Sequence, residues 1–289
     1  MGARVSPRRP LDDAALRALL LEDAPHGDLT SESLPLAGEG VLSFMARGDM
    51  LLSGVEEAAR LFELAGATAR VLHASGERAG AGELLLEAQG RPDALLLAWK
   101  AAQTLVESMS GIASAVRRIL DALHEAGSTV PLACTRKNFP GTRTFTARAV
   151  KDGGGVMHRL GLSESLLVFP EHLLFLDPGS RHAALAELRR RQPEKRLVVE
   201  VGSAEEALAA AEAGADVLQL ERFTPEALAA LRATLVERGL QVKLAPAGGV
   251  NAANAVAYAR AGADLLVSSA PYWAPPADVK VAFRRGGAA

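Results

Sequence analysis

The chain has 289 residues, 49% of them hydrophobic and 23% charged, with a formal net charge of −2. That length exceeds one typical domain and can bury a large core, while the near-neutral balance argues against a general nucleic-acid binder, which would carry a basic excess. A single cysteine, Cys134, excludes a disulfide framework and a Cys-rich zinc site, so a reducing cytoplasm is the simplest home.

The first ten residues lack the apolar core of a signal peptide, and no run approaches the ~20 apolar residues of a membrane span. A formal myristoylation pattern at Met1-Gly2 and Ser6 has no second anchoring signal beside it. Residues 11–22 show helical spacing with Asp12 and Asp13 at the start, and residues 22–31 break into a loop that carries His26. Alternation at Val41, Ser43 and Met45 predicts strands over 40–54, with Arg47 just past the first. Residues 55–65 read as a helix, and 70–90 as two short strands around Gly80-Ala81-Gly82. With no lysine in that turn, a swinging-arm carrier is not expected. Residues 92–123 form a long amphipathic helix carrying Lys100, and Ser110-Gly111 within it predicts a kink or a domain junction.

Chemistry concentrates in the next stretch. Residues 129–134 read as a short buried strand and Pro140-Gly141 forces a turn, so Arg136 and Lys137 sit where a strand runs out into a loop. A second pair, His158 and Arg159, follows Gly153-Gly154-Gly155, a run that allows positive φ or close approach to a ligand. Arg supplies a planar fork and Lys a point charge, a set suited to a polyanion. Cys134, in an apolar strand with no adjacent base, is not expected to act as a nucleophile.

Residues 212–220 and 260–268 are two copies of one pattern: a helix end, Ala-Gly-Ala-Asp, then a buried strand. With strands at 196–201 and 241–245, they predict parallel α/β architecture, a barrel or a doubly wound sheet. Glu200 and Glu221 end consecutive strands and could face a Mg²⁺ ion or a ribose diol, or form ordinary salt bridges. Ala247-Gly248-Gly249 ahead of a helix predicts a late-barrel phosphate loop, which Ser268-Ser269 would close from the last strand.

The string Cys134-Thr135-Arg136-Lys137-Asn138-Phe139-Pro140-Gly141, followed by the triple glycine and His158-Arg159-Leu160-Gly161-Leu162, resembles the signature of the quinolinate phosphoribosyltransferase family, and most of all its ModD branch, associated with molybdenum-transport operons. The resemblance covers nearly the whole chain. It implies the type II phosphoribosyltransferase architecture, an α/β sandwich over residues 1–112, with 275–289 returning to it, and an α/β barrel over 113–274. It also implies 5-phosphoribosyl 1-diphosphate as donor, a small heterocyclic acid as acceptor, Mg²⁺ as cofactor, and a dimer with shared sites. Lys137, Glu200 and Glu221 are then the catalytic candidates, the two glutamates also as metal ligands. Arg47, Lys100, Arg136, His158, Arg159, Phe169, Ala247, Gly248, Gly249 and Ser269 are the substrate-binding candidates.

Several positions depart from the family pattern. Lys100 stands for an arginine that reaches across the dimer, Phe169 for a lysine that meets substrate, Glu221-Arg222 for Asp-Asn, and Ala247 for a serine. A monoanionic or larger heterocycle is therefore expected in place of quinolinate. A true quinolinate enzyme and a non-catalytic small-anion binder remain the alternatives.

Overall fold

The computed structural model describes residues 11–286, so the Met1-Gly2 pattern lies outside the described residues. The described residues form two units, one of residues 11–117, 139–154 and 273–286 and the other of residues 118–138 and 155–272.

In the first unit, α1 (Asp13–Asp23) and α2 (Leu29–Ser33) precede β1 (Gly40–Ala46), β2 (Met50–Leu51), α3 (Val55–Leu64), β3 (Thr68–Val71), β4 (Arg78–Ala79) and β5 (Leu84–Gly90). The long helix α4 (Pro92–Glu125) follows, and the division between units falls inside it. A four-stranded antiparallel sheet in the order β13-β1-β5-β3 takes its edge strand, β13 (Val279–Arg285), from the end of the chain. Strand β1 buries Val41, Leu42, Phe44 and Ala46, and α3 covers the sheet with Leu61 and Phe62; the rings of Phe44 and Phe62 meet edge to face at 5.9 Å.

Helix α4 runs unbroken through Ser110-Gly111. Gly111 is there for close approach: a Cβ would lie 2.4 Å from the carbonyl oxygen of Pro275. Gly153 has the same role, since a Cβ would meet Val116 and the Ala113 carbonyl of α4; this glycine of the triple run makes room for a helix, not a ligand. Helix α5 (Arg143–Asp152), which follows the cationic loop, clusters with this unit. Its Asp152 accepts a 2.7 Å bond from Ser53 Oγ and pairs with Arg148, which also approaches Glu57 at 3.9 Å. Burial raises the pKa of Glu57.

The second unit holds seven parallel strands. Strands β6 (Leu132–Cys134), β7 (Val156–Met157) and β12 (Leu266–Ser268) pair in the order β12-β6-β7. Strands β8 (Leu166–Val168), β9 (Leu197–Val201), β10 (Val217–Glu221) and β11 (Lys243–Ala247) pair in the order β11-β10-β9-β8. The sheets approach at β11 and β12, where Asp264 N–H donates to the Leu244 carbonyl, while no ladder joins β7 to β8 among the described residues. Five helices intervene: α6 (Pro170–Leu174), α7 (Arg181–Arg191), α8 (Ala204–Glu212), α9 (Pro225–Glu237) and α10 (Ala255–Arg260). Strand alternation places Val198, Val217, Ala245, Ala247, Leu265 and Val267 together in an interior apolar layer.

The repeated Ala-Gly-Ala-Asp segments form two matching clasps. Asp216 accepts from the Leu197 N–H at 2.7 Å and ion-pairs with Arg189 at 3.0 Å; Asp264 accepts from the Leu244 N–H at 2.8 Å and pairs with Arg232. Each aspartate thus fixes the start of a neighbouring strand, and each arginine also caps a carbonyl of the turn, Gly214 or Gly262.

Candidate active site

Strand alternation also sets the chemistry. Val198 and Glu200 share one face of β9, and Val217, Gln219 and Glu221 one face of β10, with Gln219 in register with Glu200. The carboxylates therefore stand above the interior layer at the strands' C-terminal ends. Gln219 Nε2 donates to Glu200, while its Oε1 is buried without a hydrogen-bond partner. Burial raises the pKa of Glu200; the charges of Glu221 and then Glu171 add to the rise, while the Gln219 bond and Lys137 oppose it. Glu171, on α6, is a member of this acidic group that its sequence position does not reveal. Lys137 is exposed, and its N–H is held by Thr135 Oγ1 at 3.1 Å.

Arg136, His158 and Arg159 form a second, cationic group. β7 is held to β6 by the His158 N–H, which donates to the Cys134 carbonyl at 2.8 Å. Burial is the main cause of a lowered His158 pKa, followed by the charges of Arg159 and Arg136. Arg159 is only 5% exposed, and its pKa is also lowered, by burial and by Arg136. No carboxylate pairs with it among the described residues; its guanidinium instead lies 5.6 Å from the Phe169 ring centroid. Phe169 is stacked on His172 at 5.8 Å, and His172 Nδ1 accepts from the Phe169 N–H at 2.9 Å. Arg136, Arg159, Phe169 and His172 help line a cavity of about 540 Å³, whose other lining residues are largely apolar and include Leu173, Leu185 and Leu188. Cys134 is fully buried and its thiol is pushed up to about 12, which rules it out as a nucleophile at neutral pH.

In the loop after β11, Gly248 and Gly249 have φ of 77° and 97°, left-handed values that glycine tolerates. The sequence places a helix over residues 254–262 after this loop, and α10 forms there from Ala255, while Asn251 and Asn254 fold the intervening turn on themselves. Asn254 Oδ1 accepts from the Asn251 N–H, and Asn251 Oδ1 from the Ala253 N–H. Ser268, rather than the half-buried Ser269, ties the last strand to the loop: its Oγ donates to the Val250 carbonyl. Arg222 is the one non-glycine with positive φ among the described residues, at 56°, a conformation that costs about 1–2 kcal/mol.

Arg47 and Lys100 belong to the first unit. Arg47 is exposed and pairs with Asp278 at 3.3 Å; Lys100 Nζ lies 4.3 Å from the Trp99 ring centroid and 3.4 Å from Gln103 Oε1. Among the described residues no helix is long and apolar enough to cross a membrane.

The profile of the quinolinate phosphoribosyl transferase N-terminal domain matches residues 28–110, and that of the C-terminal domain matches 112–282. The chain belongs to the quinolinate phosphoribosyltransferase family. It is 49% identical over 255 residues to the ModD protein of Rhodobacter capsulatus, named as a pyrophosphorylase, a match covering 87% of this chain and 97% of that one. It is 34% identical over 247 residues to an Archaeoglobus fulgidus protein named as a carboxylating nicotinate-nucleotide pyrophosphorylase, covering 84% and 93%. The crystal structure of NadC from Streptococcus pyogenes superposes with a TM-score of 0.85 at 26% identity, covering 95% of this chain and 97% of that one. The fold is therefore the two-domain type II phosphoribosyltransferase fold, and the chain is an enzyme of the pentosyltransferase class.

Proposed function

We propose that the enzyme moves a phosphoribosyl group from 5-phosphoribosyl 1-diphosphate to the ring nitrogen of a monoanionic heterocycle. The ring nitrogen's lone pair forms the new bond to the anomeric carbon, and the carbon–oxygen bond to diphosphate breaks with its electron pair leaving on diphosphate. Positive charge develops on the ribose as that bond lengthens, so alignment and electrostatics carry the catalysis more than a covalent nucleophile.

The observation that carries this reading is Arg159, a cation 5% exposed without a carboxylate partner among the described residues. A buried charge of this kind calls for an anion. With Arg136 and His158 it would hold one acceptor carboxylate. Phe169 gives the ring an apolar face and the leucine-lined cavity leaves room for a substituent beyond it. Quinolinate, with two carboxylates, would want a further cation where Phe169 stands.

On the donor side, Lys137 would meet the diphosphate. Glu200 and Glu221 fit a divalent cation, since their mutual repulsion contributes to the raised pKa of Glu200. No group of three ligating side chains gathers for a metal among the described residues, so Mg²⁺ would be held by these two carboxylates together with donor oxygens, its common habit. When bound, it would neutralise diphosphate charge. Partner Lys100 in a shared dimeric site and a link to molybdenum metabolism belong to the same reading, supported by the resemblance to the ModD branch.

The test is diphosphate release across a panel of heterocyclic acids with 5-phosphoribosyl 1-diphosphate. A monocarboxylate turning over faster than quinolinate is expected. Quinolinate turning over fastest would overturn the acceptor reading, and no release with any acceptor would overturn the transferase reading.

A further inference from the structure

The backbone at Arg222 is held where a glycine or asparagine would rest more easily, with φ of 56°, and the conformation has a visible result. Its N–H donates to the Ala247 carbonyl at 2.9 Å, fastening it to the end of β11 immediately before the glycine loop. The side chain then crosses that loop. A Cβ on Gly248 would lie 2.9 Å from Arg222 Cγ and 2.7 Å from Glu221 Oε1, so the bare glycine makes room for both side chains. Arg222 Nε stands 3.5 Å from Glu221 Oε1 while 84% of its side chain is exposed.

We propose that Arg222 is a phosphate-binding residue that clamps the phosphoryl group of a phosphosugar against the Gly248-Gly249 loop. This rests on the phosphoribosyltransferase reading and adds to it a specific cation on the ribose-phosphate side. Three features point the same way. A strained backbone persists where surrounding structure over-determines it, and such strain gathers at ligand clamps. The stem is fixed by its passage over Gly248, whereas the guanidinium is exposed and can present its two-pronged edge to phosphate oxygens. The pairing with Glu221 spans a long 3.5 Å, a contact that an exposed pair gives up readily. Arg222 thus joins the carboxylate end of β10 to the glycine loop after β11, and a phosphosugar bound between them would meet both.

The experiment compares wild type with Arg222→Gly, Arg222→Asn and Arg222→Lys, using calorimetry with ribose 5-phosphate and, separately, inorganic diphosphate, alongside thermal melting. Gly and Asn accept the left-handed backbone, so their melting temperatures are expected to match or exceed wild type. Their affinity for ribose 5-phosphate should fall at least tenfold, with a shallower dependence on salt. Lys should be intermediate, keeping the charge without the fork, and inorganic diphosphate should be affected less than ribose 5-phosphate. Unchanged ribose 5-phosphate binding in the folded Gly and Asn variants would overturn the assignment and leave the transferase reading standing. Loss of binding in those variants, with no diphosphate release from wild type and any acceptor, would uphold the clamp and sink the transferase reading. Wild type that binds neither probe would overturn both.

Discussion

The guanidinium of Arg159 stands over the ring of Phe169, 5.6 Å from its centroid, so the least exposed cation of the site faces an aromatic ring where a second cation would favour a dicarboxylate. Phe169→Lys should therefore shift preference toward a dicarboxylate acceptor. One new charge-assisted bond contributes roughly 1.5–3 kcal/mol, so quinolinate affinity should rise about tenfold or more. Calorimetry with quinolinate and with a monocarboxylate checks this; equal changes for both would refute it.

His158 gives a pH signature. Its folded pKa is lowered by burial, then by Arg159 and Arg136, so the unfolded chain takes up the proton first as pH falls. Stability should decline as pH drops through about 6.5 toward the folded value. His158→Gln should flatten that decline in melting curves between pH 5 and 8. An acceptor carboxylate would favour the protonated ring, so proton uptake on binding near pH 6 is expected in wild type and should vanish in the variant.

Glu200 has the opposite sign. Its folded pKa is raised above 4.5, chiefly by burial, so its stabilising contribution is present at low pH and lost as pH rises through the folded value. At pH 7 the carboxylate is a burden on the fold. Glu200→Gln should raise the melting temperature by roughly 1–3 °C while reducing diphosphate release about a hundredfold or more. A variant that is both less stable and fully active would contradict the assignment.

Asp264 should behave as structure alone. Replacing it with Ala removes the acceptor for the Leu244 N–H and the partner of Arg232, at a cost of about 2–3 kcal/mol. Denaturant unfolding should show the loss, while diphosphate release at a temperature well below melting stays near wild type. Lost activity in the folded variant would show that the clasp reaches the chemistry.

Much of this was legible in the chain because it is written in local pattern. Glu200 and Glu221 sit at strand ends, the two Ala-Gly-Ala-Asp segments lead into buried strands, and Arg136, His158, Arg159 and Phe169 follow motif spacing. Other features depend on what packs across sequence. Gly111 read as a kink or a domain junction, and the triple glycine as positive φ, which Gly154 shows, or close approach to a ligand; Gly111 and Gly153 instead make room for chain distant in sequence. Gln219 could have been found, since a polar residue two positions before Glu221 in an apolar strand must face the same side. Glu171 could not, because α6 is only five residues long and the direction of its side chains is set by packing. Arg222 was marked in the sequence only as a departure from the family's Asp-Asn; its positive φ was not legible, for arginine is rare there.

The paired clasps have a consequence for how such a barrel can change. They fasten the beginnings of strands, whereas the charges of this second unit assigned to substrate follow the ends of strands, so the anchoring and substrate-facing positions of the unit occupy opposite poles. Each clasp is also self-contained, an arginine from one helix and an aspartate after the next. A descendant could exchange the whole rim of loops and acquire a different acceptor without refastening its foundations. A graft of one helix–turn–strand segment from a relative would bring its own half of the anchorage with it.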